Sequence, residues 1–323
     1  MDRARLAGIG LVVISACGFG SGPLFAKPIY AHGLDWMTLI TWRFIFAAAL
    51  SWGWLLIWPA QRRALRALSR RRVLTLLALG IFYMGNTGTY FAGLETVPAS
   101  LSALIVYIYP SIVAVLSIRF AHRLQGRRAW AALALATAGV ALAVGGIDAS
   151  HPVPLQGLLL MISSPIIYAV WIILAARFSG ERRRPDDDEE PTAPPYDSEA
   201  TGSDTAEPAP TAAVMLTATA IGWVIAAVLT NRPWLPAQIP TDIWWALFGV
   251  GLVSTALAMQ SFYAGARRIG AAQASLVSTV EPVYTITLAA LLFGESLGPI
   301  QLVGGVMVIA GVLIAQTAQV RRK

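Results

Sequence analysis

The sequence predicts an all-α integral membrane protein: ten transmembrane helices arranged as two inverted five-helix repeats, with both termini cytoplasmic. Three observations carry that expectation. Of 323 residues, 56% are apolar and only 13% charged, with a mean hydropathy of +0.63, where a soluble protein carries roughly 25% charged residues. Ten stretches reach or approach the ~20 apolar residues needed to cross about 30 Å of hydrocarbon. Lys and Arg cluster in every second connection, as they do when cytoplasmic loops retain them.

The ten stretches are residues 6–27, 36–58, 73–93, 99–118, 129–147, 155–176, 212–229, 243–266, 271–293 and 300–318. They lack the alternating pattern of a lipid-facing barrel strand, so each is read as a helix. The first begins like a lipoprotein signal, with Arg3 and Arg5 before an apolar run that reaches Cys17. Apolar sequence continues past Cys17, however, and a signal's apolar region is only about 7 to 15 residues. A transmembrane helix is the expectation there. One cysteine in the whole chain excludes an intrachain disulfide.

With the N-terminus inside, 21 of the 24 basic residues fall on the cytoplasmic side, including the group Arg62, Arg63, Arg66, Arg70, Arg71 and Arg72. Lys27, Arg43 and Arg232 are the exceptions. The net charge of +7 is therefore explained by topology rather than by nucleic-acid binding.

Ten of the 17 acidic residues lie within 181–207, among prolines, threonines and serines. Such a composition buries too little apolar surface to offset its ordering entropy, so a disordered cytoplasmic linker is expected at about 178–210. Asp186, Asp187 and Asp188 also suggest Mg²⁺, but Pro185, Pro191, Pro194 and Pro195 deny them rigid helical walls, and no metal or other cofactor is expected.

Sliding the chain by 172 positions sets Gly93 on Gly265, Ala99 on Ala271, Pro110 on Pro282, Gly126 on Gly298 and Ala138-Gly139-Val140 on Ala310-Gly311-Val312. The expected halves are residues 1–150 and 151–323. Five helices is an odd number, so the second half enters the membrane inverted, an arrangement that in transporters places the solute site near the midplane between the halves.

The sequence resembles the EamA family of the drug/metabolite transporter superfamily. The resemblance rests on Trp42-Arg43-Phe44, Gly93-Leu94-Glu95, Tyr109-Pro110, Glu281-Pro282-Val283, Leu292-Phe293-Gly294-Glu295 and Ala310-Gly311-Val312. Arg123 stands where the second half has Glu295, and the central acidic linker is longer than the family's usual connection. The resemblance implies secondary transport of small metabolites, often export, across a bacterial cytoplasmic membrane.

Glu281 is the most informative side chain. It lies about 11 residues into its span, hence about 16 Å deep, where an ionised carboxylate is costly without a partner. Pro282 leaves a carbonyl one turn earlier without its amide, a candidate ligand. Ser278, Glu281 and Thr285 share a helix face. Glu281 is read either as a coupling or amine-binding carboxylate or as a group hydrogen-bonded to neighbouring helices. Its counterpart is Tyr109, also directly before a proline.

Tyr83, Asn86, Thr87 and Tyr90 form a polar aromatic stripe on the third helix, and Ser164, Tyr168 and Trp171 a similar line on the sixth. Each stripe lines a cavity or packs helices through hydrogen bonds. Arg43 holds a solute carboxylate, pairs with Glu95 or reaches toward the outer headgroups. Glu295, after Gly294 at a span end, reads as solvated or capping.

The expected function is a secondary transporter working by alternating access on a small amino-acid-like or drug-like solute, with the bilayer as its other partner. A membrane enzyme acting on lipid or isoprenoid substrates would need convergent acids, bases or metal ligands at one face, and a scaffold would need no buried carboxylate. The chain has no G-x-x-x-x-G-K-[ST] loop for ATP.

Overall fold

Long apolar segments have one way to satisfy their backbone in hydrocarbon without a partner strand, which is to close every amide on its own helix. A computed structural model describes residues 3–121, 126–145, 153–178, 208–269, 274 and 277–320, and among these the regular structure is helical throughout. The helices are α1 (Arg3–Gly20), α2 (Gly22–Ala31), α3 (Trp36–Ile57), α4 (Pro59–Arg66), α5 (Arg70–Leu94), α6 (Ala99–Val106) and α7 (Tyr109–Ala121). They continue with α8 (Gly126–Gly145), α9 (Leu155–Phe178), α10 (Pro208–Leu229), α11 (Trp244–Gly251), α12 (Ala258–Ile269), α13 (Val280–Phe293) and α14 (Pro299–Val320). A π-helical turn, Leu252–Leu257, joins α11 to α12. The acidic segment expected as a linker lies, for residues 179–207, outside the described residues.

Among the described residues, five helical stretches are long and apolar enough to cross a membrane: Arg5–Ala31, Trp36–Ile57, Leu155–Ala175, Pro210–Leu229 and Thr241–Ala266. Shorter apolar helices occupy Ala99–Val113, Trp130–Val144, Val280–Phe293 and Pro299–Ile314. Helix α5 has the length, at 25 residues, but Tyr83, Asn86, Thr87 and Tyr90 dilute its apolar character. Large side chains such as Leu155, Leu291 and Val306 stand on the outside of the bundle, an arrangement that suits lipid rather than water.

In the order of the apolar stretches, the first packs on the eighth (α1 on α12) and the third on the sixth (α5 on α9), while α3 packs on α10 and α8 on α14. The α8–α14 contact is backbone against backbone. A Cβ on Gly139 would stand 2.6 Å from Gly304 O and 2.8 Å from Val308 N, and one on Gly311 would stand 2.8 Å from Ala132 O and 2.9 Å from Ala136 N. Adding 172 to Ala132, Ala136 and Gly139 gives Gly304, Val308 and Gly311, so either contact is the other with the two helices exchanged.

Polar side chains stitch the connections at the end of the bundle where α2, α5 and α13 terminate. Glu295 Oε1 accepts from Ala99 N (3.0 Å), and Oε2 accepts from Ser100 N (2.9 Å) and Ser100 Oγ (2.7 Å). That caps the first turn of α6 and settles the sequence's alternatives for Glu295. Lys27 Nζ donates to Leu94 O (3.1 Å) and Val97 O (2.9 Å), capping the C-terminus of α5 where the helix dipole favours a cation. Asp35 Oδ1 accepts from Thr38 N (2.8 Å) at the start of α3, and its other oxygen meets Arg232 at 2.8 Å. His32 faces Asp242 at 3.2 Å.

Candidate functional site

Four interruptions of helical geometry are tied to one another, to a neighbouring helix or to Arg43 by hydrogen bonds. Pro110 and Pro282 lack amide hydrogens, and the chain breaks helical form just before each, at Tyr107–Ile108 and at Ser278–Thr279. Helix α1 stops at Gly20 and restarts as α2 with Pro23 in its first turn. The fourth is the π turn. Tyr107 Oη donates to Ser278 O (2.6 Å), linking the first two, and Ser21 Oγ hydrogen-bonds Tyr284 Oη (3.1 Å), linking the third to α13. Arg43 reaches the π turn, with Nε donating to Thr255 Oγ1 (2.9 Å) and Nη2 to Ser254 O (3.3 Å). Irregular backbone at membrane depth is tolerated where protein buries it or a cavity uses it.

The residues predicted from Ser278, Glu281 and Thr285 separate here into different jobs. Ser278 Oγ donates to Ala274 O (2.9 Å), and the carbonyl that Pro282 frees is occupied by Tyr107 Oη and by Glu281 N (3.0 Å). That corrects the expectation of a carbonyl available as a ligand: two donors of the chain itself already fill it. Thr285 is 2% exposed, and its Oγ1 bonds Gly20 O and Glu281 O, both at 3.0 Å, so it packs α13 on α1. The Glu281 carboxylate, by contrast, has no hydrogen-bond donor among the described residues. It lies close enough to Tyr90, Tyr107, Tyr109 and Cys17 to act electrostatically on each.

The two stripes divide in the same way. Asn86 Nδ2 donates to Ser164 O and Oγ, both at 3.0 Å, and Trp171 Nε1 donates to Leu79 O (3.0 Å), so these groups hold α5 to α9. Thr87 Oγ1 bonds Tyr83 O and Met84 O in its own helix. The rings form a continuous aromatic wall: Tyr83 to Trp171 at 4.9 Å, Trp171 to Tyr168 at 5.8 Å and nearly parallel, and Tyr168 to Tyr109 at 4.8 Å. The hydroxyls of Tyr83, Tyr90 and Tyr109 make no hydrogen bond among the described residues.

Arg43 does not pair with Glu95, whose Oε1 instead accepts from Trp36 N (2.7 Å). Its guanidinium carbon stands 4.9 Å from the Phe91 ring centroid and 5.7 Å from that of Phe44, within cation–π range. Both Arg43 and Glu281 act electrostatically on Tyr90, so that phenol lies within reach of the cation and of the anion. The site thus brings together Arg43, Tyr83, Tyr90, Tyr109, Tyr168 and Glu281, and leaves Asn86, Thr87, Trp171, Ser278 and Thr285 with structural hydrogen bonds. Sequence reasoning missed the π turn, which no proline announces, and Tyr107, whose position next to a break is the one signal that could have found it.

The EamA-like transporter family model matches residues 6–145 and again 202–317. The chain belongs to the EamA-like transporter family. An uncharacterized transporter of Archaeoglobus fulgidus is 26% identical over 313 residues, 97% of each chain. The Bacillus subtilis uncharacterized transporter YyaM is 23% identical, over 85% of this chain and 82% of its own. A protein crystal structure superposes with a TM-score of 0.61 over 98% of both chains at 16% identity, a likeness of fold. This EamA-family chain is a multi-pass membrane protein of the transporter class, and that class carries a small-molecule solute.

Proposed function

We propose that this EamA-family protein is a secondary transporter that exports a small amino-acid-like or drug-like solute across the bacterial cytoplasmic membrane by alternating access. In this reading ten spans form two inverted five-helix halves, residues 1–150 and 151–323, with both termini cytoplasmic, and the solute site lies between the halves. The duplicated family match and the exchange-related α8–α14 contacts support the repeat.

One observation carries the functional reading: a carboxylate, Glu281, stands without a hydrogen-bond donor among the described residues, beside three phenols at a helix break. An ionised carboxylate at that depth is costly until a proton or a cationic group neutralises it. Glu281 therefore crosses between the two access states loaded, with a proton or with the solute's cationic group, which couples movement of one to movement of the other. Tyr83, Tyr90 and Tyr109 supply the remaining donors, and the rings of Tyr83, Tyr109 and Tyr168 supply the apolar wall.

The test is a resistance and metabolite-export screen comparing cells that express wild type and Glu281→Ala at equal membrane levels. A solute whose export requires wild type supports the reading. The absence of any such solute, in cells and in proteoliposomes under every gradient applied, overturns it.

A further inference from the structure

We propose that the free edge of the Arg43 guanidinium is a carboxylate-binding fork, so that the transported solute carries a carboxylate. This rests on the transport reading above and narrows its solute class. Arginine has two planar edges that can each present paired N–H groups, one formed by Nε and Nη2 and the other by Nη1 and Nη2. The first is occupied: Nε donates to Thr255 Oγ1 at 2.9 Å and Nη2 to Ser254 O at 3.3 Å. Among the described residues nothing accepts from Nη1. The second edge is therefore left with two parallel donors, the geometry a carboxylate matches with both oxygens.

The π turn explains why the first edge is held so firmly. Its widened hydrogen-bonding turns the Ser254 carbonyl and Thr255 hydroxyl toward α3, and Thr255 Oγ1 is itself anchored on Val250 O (3.2 Å). Phe91 supports the guanidinium at 4.9 Å. Both hydrogen-bond acceptors of Arg43 are neutral, which leaves a guanidinium in the bundle interior without an acidic partner among the described residues, a costly state that an anion relieves. Ser254 Oγ is fully buried, has no hydrogen-bond partner among the described residues and offers a further donor in the same turn. The repeat-related positions lack this arrangement: 172 positions on from Arg43 stands Met215, and 172 positions before the π turn α5 is regular helix.

The test uses the full-length protein in detergent, with melting temperature followed against sodium acetate and against sodium chloride at fixed ionic strength. Acetate should raise the melting temperature saturably and at lower concentration than chloride. Arg43→Lys, which keeps the charge and loses the fork, should weaken acetate about ten-fold or more and erase its advantage over chloride. Thr255→Val removes the acceptor that positions Nε, and should narrow the acetate preference several-fold while the melt stays cooperative. Equal responses to acetate and chloride in wild type, or an acetate preference that persists in Arg43→Lys, overturn the proposal. Failure here with solute-dependent transport intact removes the carboxylate fork alone, whereas acetate binding without any transport removes the transport reading alone.

Discussion

Tyr107 donates its phenolic hydrogen to Ser278 O at 2.6 Å, so a hydroxyl beside one helix break satisfies the carbonyl that Pro282 leaves open at another. The hydrogen bond joins segments 171 residues apart in sequence and holds the turn on which Glu281 is mounted. Replacing Tyr107 by Phe removes this donor and keeps the ring. Because Glu281 N still donates to the same oxygen, the expected cost is about 1 kcal/mol. Denaturation in detergent measures it, and an unchanged stability would mean that the phenol does not hold the break.

The α8–α14 contact makes a paired prediction. Leucine at Gly139 meets Gly304 O and Val308 N, and leucine at Gly311 meets Ala132 O and Ala136 N, backbone atoms that cannot rotate away. Each variant should lose about 1–3 kcal/mol from overpacking, and the two losses should be similar because the contacts exchange under the repeat. A melt in which one variant is tolerated and the other is not would contradict that equivalence.

Glu295 caps α6 through two backbone amides and a hydroxyl. Glu295→Ala should cost about 1–2 kcal/mol, the usual loss for a helix cap, with Glu295→Gln recovering part of it through its single amide oxygen. Thermal unfolding of the three proteins side by side checks the order.

Glu95 sits outside the spans, and desolvation raises its carboxyl above the ordinary value against the opposing pull of the Trp36 amide. A carboxyl raised in the folded state binds protons more tightly folded than unfolded, so its contribution is present at acid pH and is lost as pH rises through the folded value. The difference in melting temperature between wild type and Glu95→Gln should therefore shift in favour of Glu95→Gln as pH rises from 4.5 toward neutrality. A pH-independent difference would contradict this.

Much of the fold was legible because apolar length and proline are strong signals in a membrane. The expected stretch 36–58 is realised as Trp36–Ile57 and 155–176 as Leu155–Phe178, and both Pro110 and Pro282 mark real breaks. The site was only half legible, because spacing identifies a shared face and not the partner across it. Asn86, Thr87, Trp171, Ser278 and Thr285 have the right periodicity for a cavity, yet each finds an acceptor on a neighbouring turn or helix. Arg43 and the π turn lie more than 200 residues apart in sequence (|i−j| of 212 and 211), and nothing in the composition of Leu252–Leu257 signals a widened turn.

The central claim, that Glu281 couples solute movement to protons, is tested most directly by pH-driven transport in vesicles containing wild type or Glu281→Gln. The expected result is gradient-dependent solute movement by wild type and loss of that dependence in Glu281→Gln, which folds and inserts equally. Unchanged pH-driven transport by Glu281→Gln would contradict it.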